Sequence, residues 1–346
     1  MCLNFYPVWT QDGSIGLFNE EVDDIYHSSY GAYNESLEKF IYPSSLTEKA
    51  KNNLKIKILD ICYGMGYNTK CAIEKIRQNN FGCEFFVDAL EMDANVVAFS
   101  LLCKKVHFDF SILDFVDFSL LNNPYIIDAV FEIIKNKKFL DFIDEEMIDF
   151  FEINKNELYK YSSEGKINPC LHNIYYKYIS ARNIKGDARV EKRPLGRLQI
   201  HLGDARYTCA ALEGNYDLIF LDAFTPVKLP TLWSVEFFQK LKILLKPDGN
   251  ITTYSNSAAI RSGMKEAGLF IGKTQYGTIA FKDESLLKMP LDEKSFGLMG
   301  TKAGIPFFDK DLNSSKEEIL AIRQKLIDVS KKQSASQFLK NYQNKK

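Results

Sequence analysis

Tyr216-Asp217-Leu218-Ile219-Phe220-Leu221 runs mostly apolar and then breaks at Asp222-Ala223-Phe224-Thr225-Pro226, where a carboxylate, an aromatic ring and a proline follow in close order. A short apolar run bounded by turn residues reads as a strand covered on both faces, the kind that parallel sheets contain. In an open α/β sheet, side chains just past the carboxyl ends of such strands line the ligand crevice. Asp222 and Phe224 are therefore expected to face a ligand. An acid beside an aromatic ring suits a planar substrate that carries an amine.

Other segments repeat the pattern. An Ile- and Leu-rich run from Leu54 to Cys62 leads into Gly64-Met65-Gly66, and a helical pattern follows with Ala72, Ile73 and Ile76 on one face. A second strand, Glu84 to Leu90, ends in Glu91-Met92-Asp93 ahead of an apolar helix through Val96, Val97, Phe99 and Leu101. Further strands are predicted at Leu198–Leu202, Tyr216–Leu221 and Asn250–Tyr254, the last after a helix that ends in Lys246-Pro247-Asp248-Gly249. Gly268–Lys273 and Gly277–Phe281 are expected to close the sheet as an antiparallel hairpin. The fold class is α/β, a doubly wound Rossmann-like sheet. Between about Val106 and Leu195 aromatic, acidic, helix-like segments replace the strand pattern, which predicts an inserted helical subdomain. The expected divisions are an N-terminal segment (1–50), the first half of the sheet domain (51–105), the insert (106–195), the second half (196–282) and a C-terminal extension (283–346).

Composition narrows the function classes. The 346 residues are 46% hydrophobic and 26% charged with a formal net charge of -1, so any RNA binding must come from a local basic surface. The Lys-rich stretch from Ser314 onward reads, on charge alone, as a solvated helix and frayed tail in preference to an RNA contact. Seven cysteines without a C-x-x-C pair or nearby histidines suggest reduced thiols and no metal site. The N-terminus lacks a basic leader, and no segment is long and apolar enough to span a bilayer, so a cytoplasmic protein is expected.

The turn Asp60-Ile61-Cys62-Tyr63-Gly64-Met65-Gly66 lets backbone approach a ligand closely. Thr69 occupies the third glycine position of a dinucleotide fingerprint, which disfavours NAD and FAD. Glu91, at the end of the second strand, can accept both ribose hydroxyls, and Asp204 after the third can accept from an adenine amino group. Three acids at successive strand ends point to a nucleoside carried without a pyrophosphate, for which S-adenosylmethionine is the usual ligand.

These residues resemble the methyltransferase module of MnmC-type enzymes, which complete the 5-methylaminomethyl group on wobble uridines of certain tRNAs. Asp60 and Cys62-Tyr63-Gly64-Met65-Gly66-Tyr67-Asn68 are similar to the family's acid and G-F-G-T-G-L-N-like turn, with Cys62 in place of the first glycine. Asp222 to Trp233 resembles its D-G-F-A-P-A-K-N-P-x-x-W-like loop. Asp23-Asp24-Ile25-Tyr26-His27-Ser28, Gly31 and Glu35 resemble its leading segment, and Ser257 to Gly268 its A-x-x-V-R-R-G-L-x-E-A-G-like helix. Ala303 to Asp309 looks like the C-terminal segment of stand-alone members, which lack the fused FAD oxidase. The insert has no counterpart in the family pattern, and the missing glycine at Cys62 is expected to set the loop back or change its dihedral.

The resemblance implies a class I S-adenosylmethionine-dependent methyltransferase, a monomer, acting on the anticodon stem-loop of tRNA. It would convert 5-aminomethyl-(2-thio)uridine to 5-methylaminomethyl-(2-thio)uridine. The implied cofactor residues are Glu35, Asp60, Tyr63, Gly64, Gly66, Asn68, Glu91, Met92, Asp204, Ala205 and Asp222. Asp222 would orient the amine, Phe224 would stack on uracil, Tyr26 would contact the substrate, and Lys228 and Arg261 would meet anticodon phosphates. Two other readings stand beside it. Polyamine aminopropyltransferases share the sheet, the Asp after the fourth strand and an E-F-F-like helix, here Glu236-Phe237-Phe238. A non-catalytic tRNA-binding module on the same fold is the third.

Overall fold

The computed structural model describes residues 3–20, 24–26, 30–164, 174–175, 177–178 and 195–344. Ten strands are named in chain order: β1 (Phe5–Trp9), β2 (Ile15–Asn19), β3 (Asp24–Tyr26), β4 (Lys55–Ile61), β5 (Glu84–Glu91), β6 (Gly196–Leu202), β7 (Tyr216–Leu221), β8 (Leu245–Thr253), β9 (Phe270–Lys273) and β10 (Thr278–Phe281). Seven of them make one mixed sheet in the order β6-β5-β4-β7-β8-β10-β9. The chain divides into two compact units: Met1–Leu37, Thr47–Ile56 and Tyr63–Leu202 in the first, and Glu38–Leu46, Lys57–Cys62 and Gly203–Lys346 in the second.

In the first unit β5 and β6 pair in parallel from Phe85↔Gly196 to Glu91↔Leu202. The helix Tyr67–Asn79 precedes β5 and the helix Ala94–Leu102 follows it. All but its first two residues are buried in the second helix, which suits a run with almost no polar face. The described part of the insert is helical: Pro124–Lys135, Glu145–Ile153 and Lys155–Glu164, with short 3₁₀ turns at Ile112–Asp114, Phe118–Asn122 and Leu140–Phe142. Its aromatics fill cores, with Phe139 edge-on to both Phe5 (5.8 Å) and Phe99 (5.2 Å), and Phe150 against Tyr175 (5.2 Å). A small antiparallel sheet, β1-β2-β3, occupies the N-terminal region. The sequence reading missed it because five-residue strands with Pro7 and Gly16 inside them carry a weak alternation signal.

In the second unit β4 pairs with β7 and β7 with β8 in parallel, while β10 pairs antiparallel with both β8 and β9. Every residue of β7 is buried. The predicted boundary near Lys246 moves. The helix Val235–Leu244 stops at Leu244, and Lys246-Pro247-Asp248-Gly249 lies inside β8 as an irregularity where the register jumps from Tyr216↔Leu245 to Leu218↔Asn250. Proline has no N–H to continue a ladder, so the strand bulges there. Asp217, at the start of β7, fastens the bulge: its carboxylate accepts from Lys246 Nζ and from the Lys57 backbone N–H, both at 2.7 Å.

With Asp217 only 5% exposed, Asp217→Ala is expected to leave these donors without a buried acceptor and to lower unfolding stability by about 2–3 kcal/mol, read as a drop in the denaturant midpoint.

Candidate active site

The turn after β4 is left-handed at three residues. Cys62, Gly64 and Gly66 have φ of 64°, 56° and 73°. Instead of displacing the loop, Cys62 adopts the dihedral that a glycine would take there, at a cost on the order of 1 kcal/mol. Gly66 has no such alternative, since a Cβ would collide with the Tyr63 ring. The turn is held from below. Tyr63 N–H donates to Leu90 O at 3.0 Å and Gly66 N–H to Tyr63 O at 2.8 Å. Lys70, buried in the first turn of the following helix, donates Nζ to Met65 O at 3.0 Å. Burial pulls its ammonium pKa down. Sequence reasoning missed Lys70, because a lysine on a helix normally reads as solvated.

Glu91 is tied to this turn. Its Oε2 accepts from Gly64 N–H at 2.8 Å, and its Oε1 from the N–H groups of Met92 (2.8 Å) and Asp93 (3.1 Å). Burial raises the Glu91 carboxyl pKa, against the lowering by these three donors. Met92 projects outward at 71% exposure, whereas Asp60, Tyr63 and Asn68 are buried, Tyr63 with its hydroxyl 3.4 Å from Ser100 Oγ. Glu35 is half-buried in the helix Ala32–Ser36. Tyr26 is placed by its backbone alone, opposite Leu17 in the β2–β3 pair.

The second unit holds the other strand ends. Asp222 and Phe224 are half-buried, and the backbone between them is clamped. Asp222 N–H donates to Ile61 O at 3.2 Å. Tyr254 donates its hydroxyl to Ala223 O at 2.9 Å, and buried Trp233 donates Nε1 to Phe224 O at 2.8 Å. The Trp233 and Tyr254 rings meet edge to face at 6.1 Å. Lys228 follows in a turn in which its N–H donates to Thr225 O at 2.8 Å.

Asp204 and Arg261 both have structural partners. Asp204 caps the helix Ala205–Thr208 and forms an ion pair with Arg206 (2.7 Å), whose other nitrogen meets Asp309 at 2.9 Å. Burial works against the Arg206 charge, but its bonds to Asp204 and then Asp309 outweigh it and raise its pKa. Ala205 is buried beside this pair. Arg261, expected at an RNA phosphate, is turned inward: 6% exposed, it donates to Thr278 Oγ1 (2.9 Å), Asn256 Oδ1 (2.8 Å) and Gly277 O (3.3 Å). A guanidinium anchored at three acceptors inside the fold is a strut for the Asn256 loop and does not reach outward to a phosphate. Glu236 likewise accepts from Asp309 N–H at 2.7 Å. Among the described residues no group of three or more His, Cys, Asp or Glu is placed to hold a metal, and no helix is long and apolar enough to cross a membrane. Their five cysteines are free thiols.

A family profile described as S-adenosyl-L-methionine-dependent methyltransferase matches residues 166–284. MNMC2 from Aquifex aeolicus superposes with a TM-score of 0.62 at 23% identity, covering 94% of this chain and 85% of that one. An uncharacterized protein of Methanocaldococcus jannaschii, MJ0670, is 24% identical over 96% of this chain and 78% of its own length. The tRNA 5-methylaminomethyl-2-thiouridine biosynthesis bifunctional protein MnmC of Azoarcus sp. is 37% identical over 76 residues, which are 22% of this chain and 12% of that protein. The fold is therefore that of a class I methyltransferase, and the segment 166–284 is similar to S-adenosylmethionine-dependent methyltransferases.

Two expectations follow from this geometry. Cys62→Gly should keep or slightly raise thermal stability, while Cys62→Val, β-branched at a left-handed position, should lose about 1–2 kcal/mol in chemical denaturation. Trp233→Phe keeps the buried ring but removes the bond to Phe224 O, and kcat is expected to fall roughly tenfold with the melting temperature shifted by only a few degrees.

Proposed function

We propose that the enzyme transfers a methyl group to the primary amine of 5-aminomethyl-(2-thio)uridine at the wobble position of tRNA, giving the 5-methylaminomethyl nucleoside. The observation that carries this reading is the clamped Asp222-Ala223-Phe224 loop, an acid beside an aromatic ring, with backbone fixed by Tyr254 and Trp233. The relatives named for 5-methylaminomethyl-2-thiouridine biosynthesis supply the substrate class.

The residues fit a nucleoside cofactor. The left-handed turn brings backbone forward without side chains at Gly64 and Gly66, and Glu91 is oriented by three N–H donors so that its remaining lone pairs can take ribose hydroxyls. S-adenosylmethionine, when bound, supplies an electrophilic methyl on a sulfonium. Asp222 accepts an N–H bond from the substrate amine and orients its lone pair toward that methyl, while Phe224 stacks on the pyrimidine. An aliphatic ammonium has no lone pair, so its proton must leave first, to Asp222 or through it to water. The nitrogen–carbon bond then forms as the carbon–sulfur bond breaks, and the product amine sheds a second proton. Because carboxylate basicity is modest, orientation supplies the larger part of the acceleration.

The test uses methyl-labelled S-adenosylmethionine and tRNA carrying 5-aminomethyl-uridine, with the labelled nucleoside identified after digestion. Label is expected in 5-methylaminomethyl-uridine. Asp222→Ala should bind the cofactor within a few-fold of wild type yet lose on the order of 100-fold or more in kcat. Label in putrescine products and none in tRNA, or full activity of the variant, would sink the reading.

A further inference from the structure

The chain as a whole is nearly neutral, but from Val329 to Lys346 it holds five lysines and no carboxylate. The residues described there are ordered against the second unit. Ser334 caps the helix Ala335–Gln343, and Phe338 packs so tightly on Gly297 that a Cβ at that glycine would collide with its ring. Tyr342 stacks on Phe338 at 5.8 Å. Lys302 N–H donates to Gln333 O at 2.9 Å, which fixes the Ser330–Ser334 connection beside the turn Lys302–Gly304. Lys331, Lys332 and Lys340 are all exposed, and Lys294, one turn before Gly297 on the helix Glu293–Met299, is exposed too. Of the acids beside Lys294, Asp292 is held by Lys273 at 3.1 Å while Glu293 is exposed, and on the same helix Phe296, 55% exposed, lies under Lys265 Nζ at 4.5 Å.

We propose that Lys331, Lys332 and Lys340 form a docking surface for the sugar-phosphate backbone of tRNA. A solvated helix would need no such arrangement. Here Lys331, Lys332 and Lys340 lie in a stretch without Asp or Glu that is fixed at Gln333 and Phe338, and each phosphate contact there releases a counterion. Such contacts position an RNA without reading its sequence. The inference rests on tRNA being the substrate, and its test separates the two.

Full-length protein is titrated with tRNA transcript by filter binding over about 50–200 mM salt. The triple variant K331Q/K332Q/K340Q is expected to reduce the slope of log affinity against log salt by about 2–3 and to weaken binding roughly 10-fold or more at the low-salt end, for cognate and non-cognate tRNA alike. S-adenosylmethionine affinity and kcat at saturating tRNA should stay unchanged, which also shows the variant folded. An unchanged slope overturns the docking surface while leaving the methylation reading intact. Wild-type protein that binds tRNA through these lysines but transfers no methyl keeps the surface and sinks the chemistry. Wild-type protein that fails to bind tRNA, or that binds only anionic vesicles, overturns the surface.

Discussion

The pairing of β4 with β7 is the constraint on which the second unit depends. β7 has neighbours on both edges and every one of its residues is buried, so it is apolar except for Asp217 near its start. The register fixes Ile61 opposite Leu221, and the next residue, Asp222, is locked to it by the bond from its N–H to Ile61 O at 3.2 Å. The position of the carboxylate thus follows from where burial stops. Tyr254 and Trp233 then remove the remaining freedom of the loop by binding two consecutive carbonyls, which a proline-broken segment would otherwise leave to water.

The first unit solves a matching problem around Glu91. A partly enclosed carboxylate is costly unless donors surround it, and three backbone N–H groups do so. One of them comes from Gly64, which can present it only because the turn is left-handed at Cys62, Gly64 and Gly66. Strain at Cys62 and the buried ammonium of Lys70 are therefore part of the same device, since both hold the shape of the turn.

Much of this was legible in the sequence because it depends on local pattern. The apolar runs ending at Ile61, Leu90, Leu202 and Leu221, the glycine turn and the closing hairpin all appear where residue order places them. Boundaries failed where a long-range contact decided: the bulge that Pro247 opens at Lys246–Gly249 is held within β8 by Asp217 of the neighbouring strand. The N-terminal sheet was invisible because its short strands gain their stability from pairing with one another.

Sequence alone determined the fold class and the acids that end the strands, since hydrophobic periodicity and turn residues act within a few positions. It also determined the acid-free, Lys-rich character of the C-terminal stretch. Only the tertiary structure decided which charges face outward. Arg261 and Asp204 are found in internal partnerships with Thr278, Asn256 and Arg206, whereas Lys331, Lys332 and Lys340 are exposed. A charged side chain is committed by what lies across from it in space, and those partners are 17 positions away for Thr278 and 103 for the Arg206–Asp309 bond.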